Sequence, residues 1–113
     1  MIDDYEGKMR KACQEISKWG QEYARLNPMA NYMSDMKKVI FNGEMLKAGE
    51  VPMWKAECHA SESEVYKKHL EAVRDVEMDS LTAKAKLEAS RANFEALRSL
   101  CSLTKTQMNN FQE

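Results

Sequence analysis

Apolar and small residues recur at helical spacing from the start of the chain. Tyr5, Met9, Ala12, Cys13, Ile16, Trp19, Gly20, Tyr23 and Leu26 advance by threes and fours and mark one face. Asp3, Asp4 and Glu6 open the segment, where carboxylates favour the helix dipole, and Arg25 lies near its end. The pattern predicts a helix over 3–26, ended by Asn27-Pro28 because the residue before a proline is pushed out of the α region. A second helix is predicted over 29–47. Met29, Met33, Met36 and Ile40 form its apolar stripe, and Tyr32, Val39 and Leu46 widen it. Gly43 costs about 1 kcal/mol relative to alanine inside a helix, so a bend or early fraying is expected there. Lys47 suits a last turn and Gly49 suits the left-handed position that stops many helices, which leaves 48–51 as a loop.

Pro52 fits the first position of a new helix, where its missing N–H costs nothing. From Met53 to the end there is neither glycine nor proline, so one long helix is predicted over 52–111. Ser61-Glu62-Ser63-Glu64 has the capping-box form Ser-x-x-Glu, so a break near 58–63, with a fresh helix from Ser61, is as acceptable as continuation. Beyond Val65 the stripe includes Leu70, Val73, Val76, Leu87, Phe94, Leu97, Cys101, Met108 and Phe111. The predicted fold is all-α: an elongated, coiled-coil-like helical hairpin or bundle forming a single domain, with two shorter helices and one long C-terminal helix.

Length gives this fold a consequence. A helix over 62–110 is about 73 Å long at 1.5 Å per residue, whereas a compact chain of this size has a radius of gyration of about 13 Å. Two shorter helices folded back on such a rod leave part of its apolar stripe bare, and a second copy of the chain is the simplest cover. A homo-oligomer, a dimer first, is therefore expected. Charge suggests an antiparallel arrangement. Residues 62–79 hold six acids against three bases, and residues 84–105 hold five bases against two acids. Solvated faces with intrahelical pairs such as Glu71/Arg74 and Glu95/Arg98 explain the same pattern without a partner.

The remaining composition narrows the chemistry. The chain has 113 residues, a formal net charge of -1, 43% apolar residues and no apolar run long enough to span a membrane. The acidic, polar opening Met1-Ile2-Asp3-Asp4-Tyr5 predicts no secretory or mitochondrial leader. Three widely spaced cysteines, Cys13, Cys58 and Cys101, read as reduced thiols of a cytoplasmic protein. Cys58-His59, with His69 and Glu62, is the one conceivable metal cluster. Adjacent helical residues point about 100° apart, and no ligand spacing of a known metal motif occurs, so no metal or cofactor is expected. In its place a buried thiol and two surface or interface imidazoles are expected. No nucleophile–histidine constellation or glycine-framed phosphate loop is present either, and no catalytic residue is assigned.

Binding surfaces are the remaining candidates. Nine methionines, five of them between Met29 and Met53, give flexible, polarizable faces able to re-pack against partners. The candidate protein-contact residues are Met33, Met36, Met53, Trp54, Leu87, Phe94, Leu97 and Met108. Core packing is the competing role for Met33, Met36 and Phe94, and Trp54 could instead staple its turn to the first helix. The basic span Lys84, Lys86, Arg91, Arg98 and Lys105 could follow a phosphate backbone, although interspersed acids weaken that reading.

The stretches Lys55-Ala56-Glu57, Ala60-Ser61, Val65-Tyr66 and Phe94-Glu95-Ala96-Leu97-Arg98-Ser99-Leu100 resemble small all-helical proteins of tailed bacteriophages and prophages, across about residues 20–108. Such proteins are commonly encoded among early genes, near recombination and replication functions. The resemblance implies a cytoplasmic protein of an infected bacterium with a bacterial or phage protein partner. Its function would be non-catalytic protein interaction through helical surfaces. The alternatives are a recombination or replication accessory contacting single-stranded DNA, and an inhibitor of a host defence system.

Overall fold

The computed structural model describes residues 2–112, with side chains for 4–110. Asp3 and Phe111, placed above at a helix start and on a stripe, lie outside the described side chains. The described residues form α1 (Ile2–Lys47), α2 (Met53–Glu62) and α3 (Glu64–Gln112), with no strand among them. The all-α hairpin architecture follows from this order. The chain divides into two compact units: Met1–Tyr23 with Thr82–Glu113, and Ala24–Leu81.

In each unit α1 and α3 run antiparallel along a seam with a seven-residue repeat. In the first unit Tyr5, Met9, Ala12, Ile16, Trp19 and Tyr23 of α1 are buried or half-buried, as are Ala83, Leu87, Ser90, Phe94, Leu97 and Cys101 of α3. In the second unit Leu26, Ala30, Met33, Lys37, Ile40 and Glu44 continue the same alternation of threes and fours. They face Tyr66, His69, Val73, Val76 and Ser80. Phe41 and Tyr66 meet edge to face at 5.1 Å beside this seam. The seam is thin: among the described residues no large side chain is fully buried, and alanine and serine occupy several of its positions. α2 adds Ala56 and Ala60, both buried.

Three expected boundaries are corrected. Helix 3–26 and helix 29–47 are one helix, which passes through Pro28. Pro28 withholds a donor from the carbonyl of Ala24, but its ring is exposed at the outermost position of the repeat. Leu26 and Ala30, either side of it, are buried in the seam and hold the helix in register. Packing therefore outweighs the local preference of the residue before proline. Gly43 likewise does not end α1, which runs on to Lys47. With α1 at 46 residues and α3 at 49, the helix-length mismatch that motivated self-association is absent.

The 48–51 loop is present, and Gly49 adopts the expected left-handed backbone at φ 80°. Pro52 stands one residue earlier than expected. Its ψ of 151° is extended, so it is the N-cap, and its carbonyl accepts from the amides of Lys55 and Ala56. The long helix is broken, and the break lies at Ser63, not at a cap on Ser61. The Ser61 hydroxyl donates to the Glu57 carbonyl inside α2 (2.9 Å). Ser63 turns extended (ψ 133°) and caps α3, accepting from the Tyr66 amide at 3.5 Å on its hydroxyl and from the Lys67 amide at 3.0 Å on its carbonyl.

Because Pro28 is tolerated and not required by the seam, Pro28→Ala should restore the missing hydrogen bond and raise stability by about 1–3 kcal/mol. Urea unfolding followed by circular dichroism measures this. An unchanged or lower midpoint would show that the proline itself supports the native helix.

Candidate interaction surfaces

The sequence-selected protein-contact residues fall into two groups. Met33, Leu87, Phe94 and Leu97 lie in the seam, Leu87 and Leu97 buried and the other two half-buried. The Met33 carbonyl also accepts a 2.8 Å hydrogen bond from His69 Nε2, which ties α1 to α3 within the second unit. These four are committed to the chain's own fold. Met36 is half-buried at the seam edge, while Met53 (71%), Trp54 (63%) and Met108 are exposed. Trp54 does not staple its turn to α1. The Lys55 ammonium lies 5.5 Å from its ring, and most of the indole faces solvent.

Sequence reasoning missed one set. Tyr32 (65%), Val39 (57%) and Leu46 (82%) stand on the outside of α1 and do not widen its buried stripe. They occur at every seventh residue, in phase with the exposed Lys11, Lys18 and Arg25 further up the same helix. That shared phase is the signal that places the row outward. Near its end, Met45, Leu46, Gly49, Glu50, Val51, Met53 and Ala56 line an open cleft of about 470 Å³. A second cleft of about 500 Å³ is formed by Lys37, Lys38, Phe41, Asn42, Tyr66 and Leu70.

The five basic candidates are all exposed. Lys84, Arg91, Arg98 and Lys105 sit seven residues apart and so share one side of α3. Arg98 pairs with Glu95 at 3.4 Å, an exposed intrahelical contact of the expected kind. Lys86 is engaged otherwise. Its ammonium lies 4.3 Å from the Trp19 ring centroid, with Lys18 at 4.8 Å, while the indole N–H donates to Glu15 at 3.0 Å.

The reactive side chains are dispersed. Cys13 and Cys58 are exposed and Cys101 is half-buried, all three as free thiols, so the expectation of a buried Cys58 is corrected. α2 exposes that edge because Ala56 and Ala60 form its inner side. Among the described residues no group of three His, Cys, Asp or Glu side chains is placed to hold a metal ion, and no helix is long and apolar enough to cross a membrane.

One polar cluster is built into the second unit. Glu44 is buried at the end of the α1 seam and accepts a 2.8 Å hydrogen bond from Lys47. That bond holds its carboxyl below the ordinary value, against the opposing effect of burial. A hydrogen bond from Ser63 and the charges of Lys47 and His59 act in the same lowering direction. Glu44 thus ties the end of α1 to the α2–α3 break. A lowered folded-state pKa means that its stabilisation is complete above the ordinary value of 4.5 and is lost as pH falls through the folded value. Glu44→Gln should unfold at lower urea than the parent at pH 7. The gap should close as pH falls below 4.5 in parallel titrations. A gap constant across that range would deny Glu44 this role.

No family model, no curated protein and no solved structure matches the chain.

Proposed function

We propose that the chain is a non-catalytic interaction protein of phage or prophage type, which self-associates and binds a bacterial or phage protein partner through helical surfaces. The observation that supports this most is the exposure of Met53 and Trp54 on the first turn of α2, next to the cleft that Leu46 and Val51 line. Large apolar side chains grouped on a loop and helix start are costly to leave in water, and tryptophan is enriched at the energetic centres of interfaces. Methionine beside it supplies a surface that adapts to the partner's shape. An inhibitor of a host defence system would use the same patch in the same way.

Tagged protein incubated with bacterial host lysate should retain a partner that the double variant Met53→Ser/Trp54→Ser loses. The loss of affinity expected for such an anchor is about 2 kcal/mol or more. Equal retention by both proteins would sink this assignment of the patch.

The seven-residue row Lys84, Arg91, Arg98 and Lys105 favours a second reading, an accessory of recombination or replication that touches single-stranded DNA. Fluorescence anisotropy with a labelled oligonucleotide should then show binding that weakens steeply with salt and is lost in Arg91→Glu/Arg98→Glu. Absence of binding at low salt would end this reading, since phosphate contacts are strongest there.

A further inference from the structure

The outer side of α1 in the second unit has an apolar repeat of its own. Met29, Tyr32, Met36, Val39, Gly43 and Leu46 alternate in steps of three and four, the spacing with which one helix seats another. The face covers about 26 Å of helix at 1.5 Å per residue. Tyr32, Val39 and Leu46 are more than half exposed, Met29 is 43% exposed, and Met36 and Gly43 are partly covered. α3 already occupies the seam on another side of the helix, so this second stripe has no cover within the described residues of the chain.

We infer that this face is a two-fold interface with a second copy of the chain, laid antiparallel, in which Tyr32 of one copy packs over Gly43 of the other. The inference deepens the self-association proposed above and rests on it. Its first support is the order of the residues, which pairs with itself on reversal. Met29 meets Leu46, Tyr32 meets Gly43, and Met36 meets Val39, each pair symmetric about the point between residues 37 and 38. The second is Gly43 itself. A glycine inside a helix is unfavourable, yet a Cβ built there meets nothing within 4 Å, so packing within the chain gives no reason for it. A notch opposite the largest residue of the stripe supplies one.

A parallel alignment would set Tyr32 against Tyr32, and Gly43 against Gly43 across a void. This face is also a better candidate than the outward side of α3. There Met78 and Leu81 are exposed among charges, and exposed ion pairs add little to association.

Sedimentation velocity on the full chain over a wide concentration series tests the interface. The parent should pass from monomer to dimer, and Val39→Glu should stay monomeric at every concentration with its helical signal intact. Gly43→Leu should weaken the dimer at least tenfold while melting no lower than the parent, because it fills the notch but favours the helix. Direction is read from Met29→Cys and Leu46→Cys, each made with Cys13, Cys58 and Cys101 replaced by serine. An antiparallel dimer forms a disulfide only when the two variants are mixed, whereas a parallel one links each variant to itself. A parent that is monomeric throughout, a Val39→Glu protein that still dimerises, a Gly43→Leu protein with unchanged affinity, or self-linking of either cysteine variant would overturn the inference. The Met53/Trp54 patch is read separately through lysate capture, so a monomer that still retains a partner there rejects this interface and leaves the interaction role standing.

Discussion

A seam between two helices can hide only one stripe of each, and most other features of this protein follow from that limit. The repeat of alternating threes and fours runs from Tyr5 to Glu44 on α1 and from Tyr66 to Cys101 on α3, and it decides which residues are buried. It carries α1 through Pro28, because continued packing at Leu26 and Ala30 outweighs one lost hydrogen bond. It also leaves every residue outside its phase in water, however apolar. Tyr32, Val39 and Leu46 are exposed for that reason and not because their side chains suit solvent.

The same limit explains why the polar groups at the seam matter. Glu44 and Lys37 occupy seam positions on α1, and His69 occupies one on α3. Glu44 is satisfied by Lys47 and Ser63, and His69 by the Met33 carbonyl. Buried polar groups without such partners would cost more than the thin apolar contact could offset. Their partners instead fix register and lock the α1 end against the start of α3. The corner is specified by hydrogen bonds where the apolar seam is weakest.

Much of the fold was legible in the order of residues, for identifiable reasons. Helical spacing in α1 and α3, the 48–51 loop and the left-handed Gly49 are local signals, and local geometry follows them. Pro28 misled because its effect depends on whether both flanks are held by distant residues, which no local rule contains. The cap misled more subtly. Ser61 reads as the helix start, but the cap is Ser63, whose hydroxyl also reaches the buried Glu44 across a long sequence separation. The candidate surface was half legible: Met53 and Trp54 were singled out, while Tyr32, Val39 and Leu46 were assigned to the core. Two apolar stripes on one helix look like a single broad one until a partner fixes the phase, and only comparison with Lys11, Lys18 and Arg25 separates them.

The outermost row of α1 includes Gly7, Pro28, Asp35 and Asn42, all poor helix formers and all exposed. The matching row of α3 holds Glu64, Glu71, Met78, Ala85 and Ala92, which are good ones, before it ends in Ser99 and Thr106. On its solvent side α1 therefore has less intrinsic helix propensity than α3, and its helicity leans more on the packing of the shared stripe.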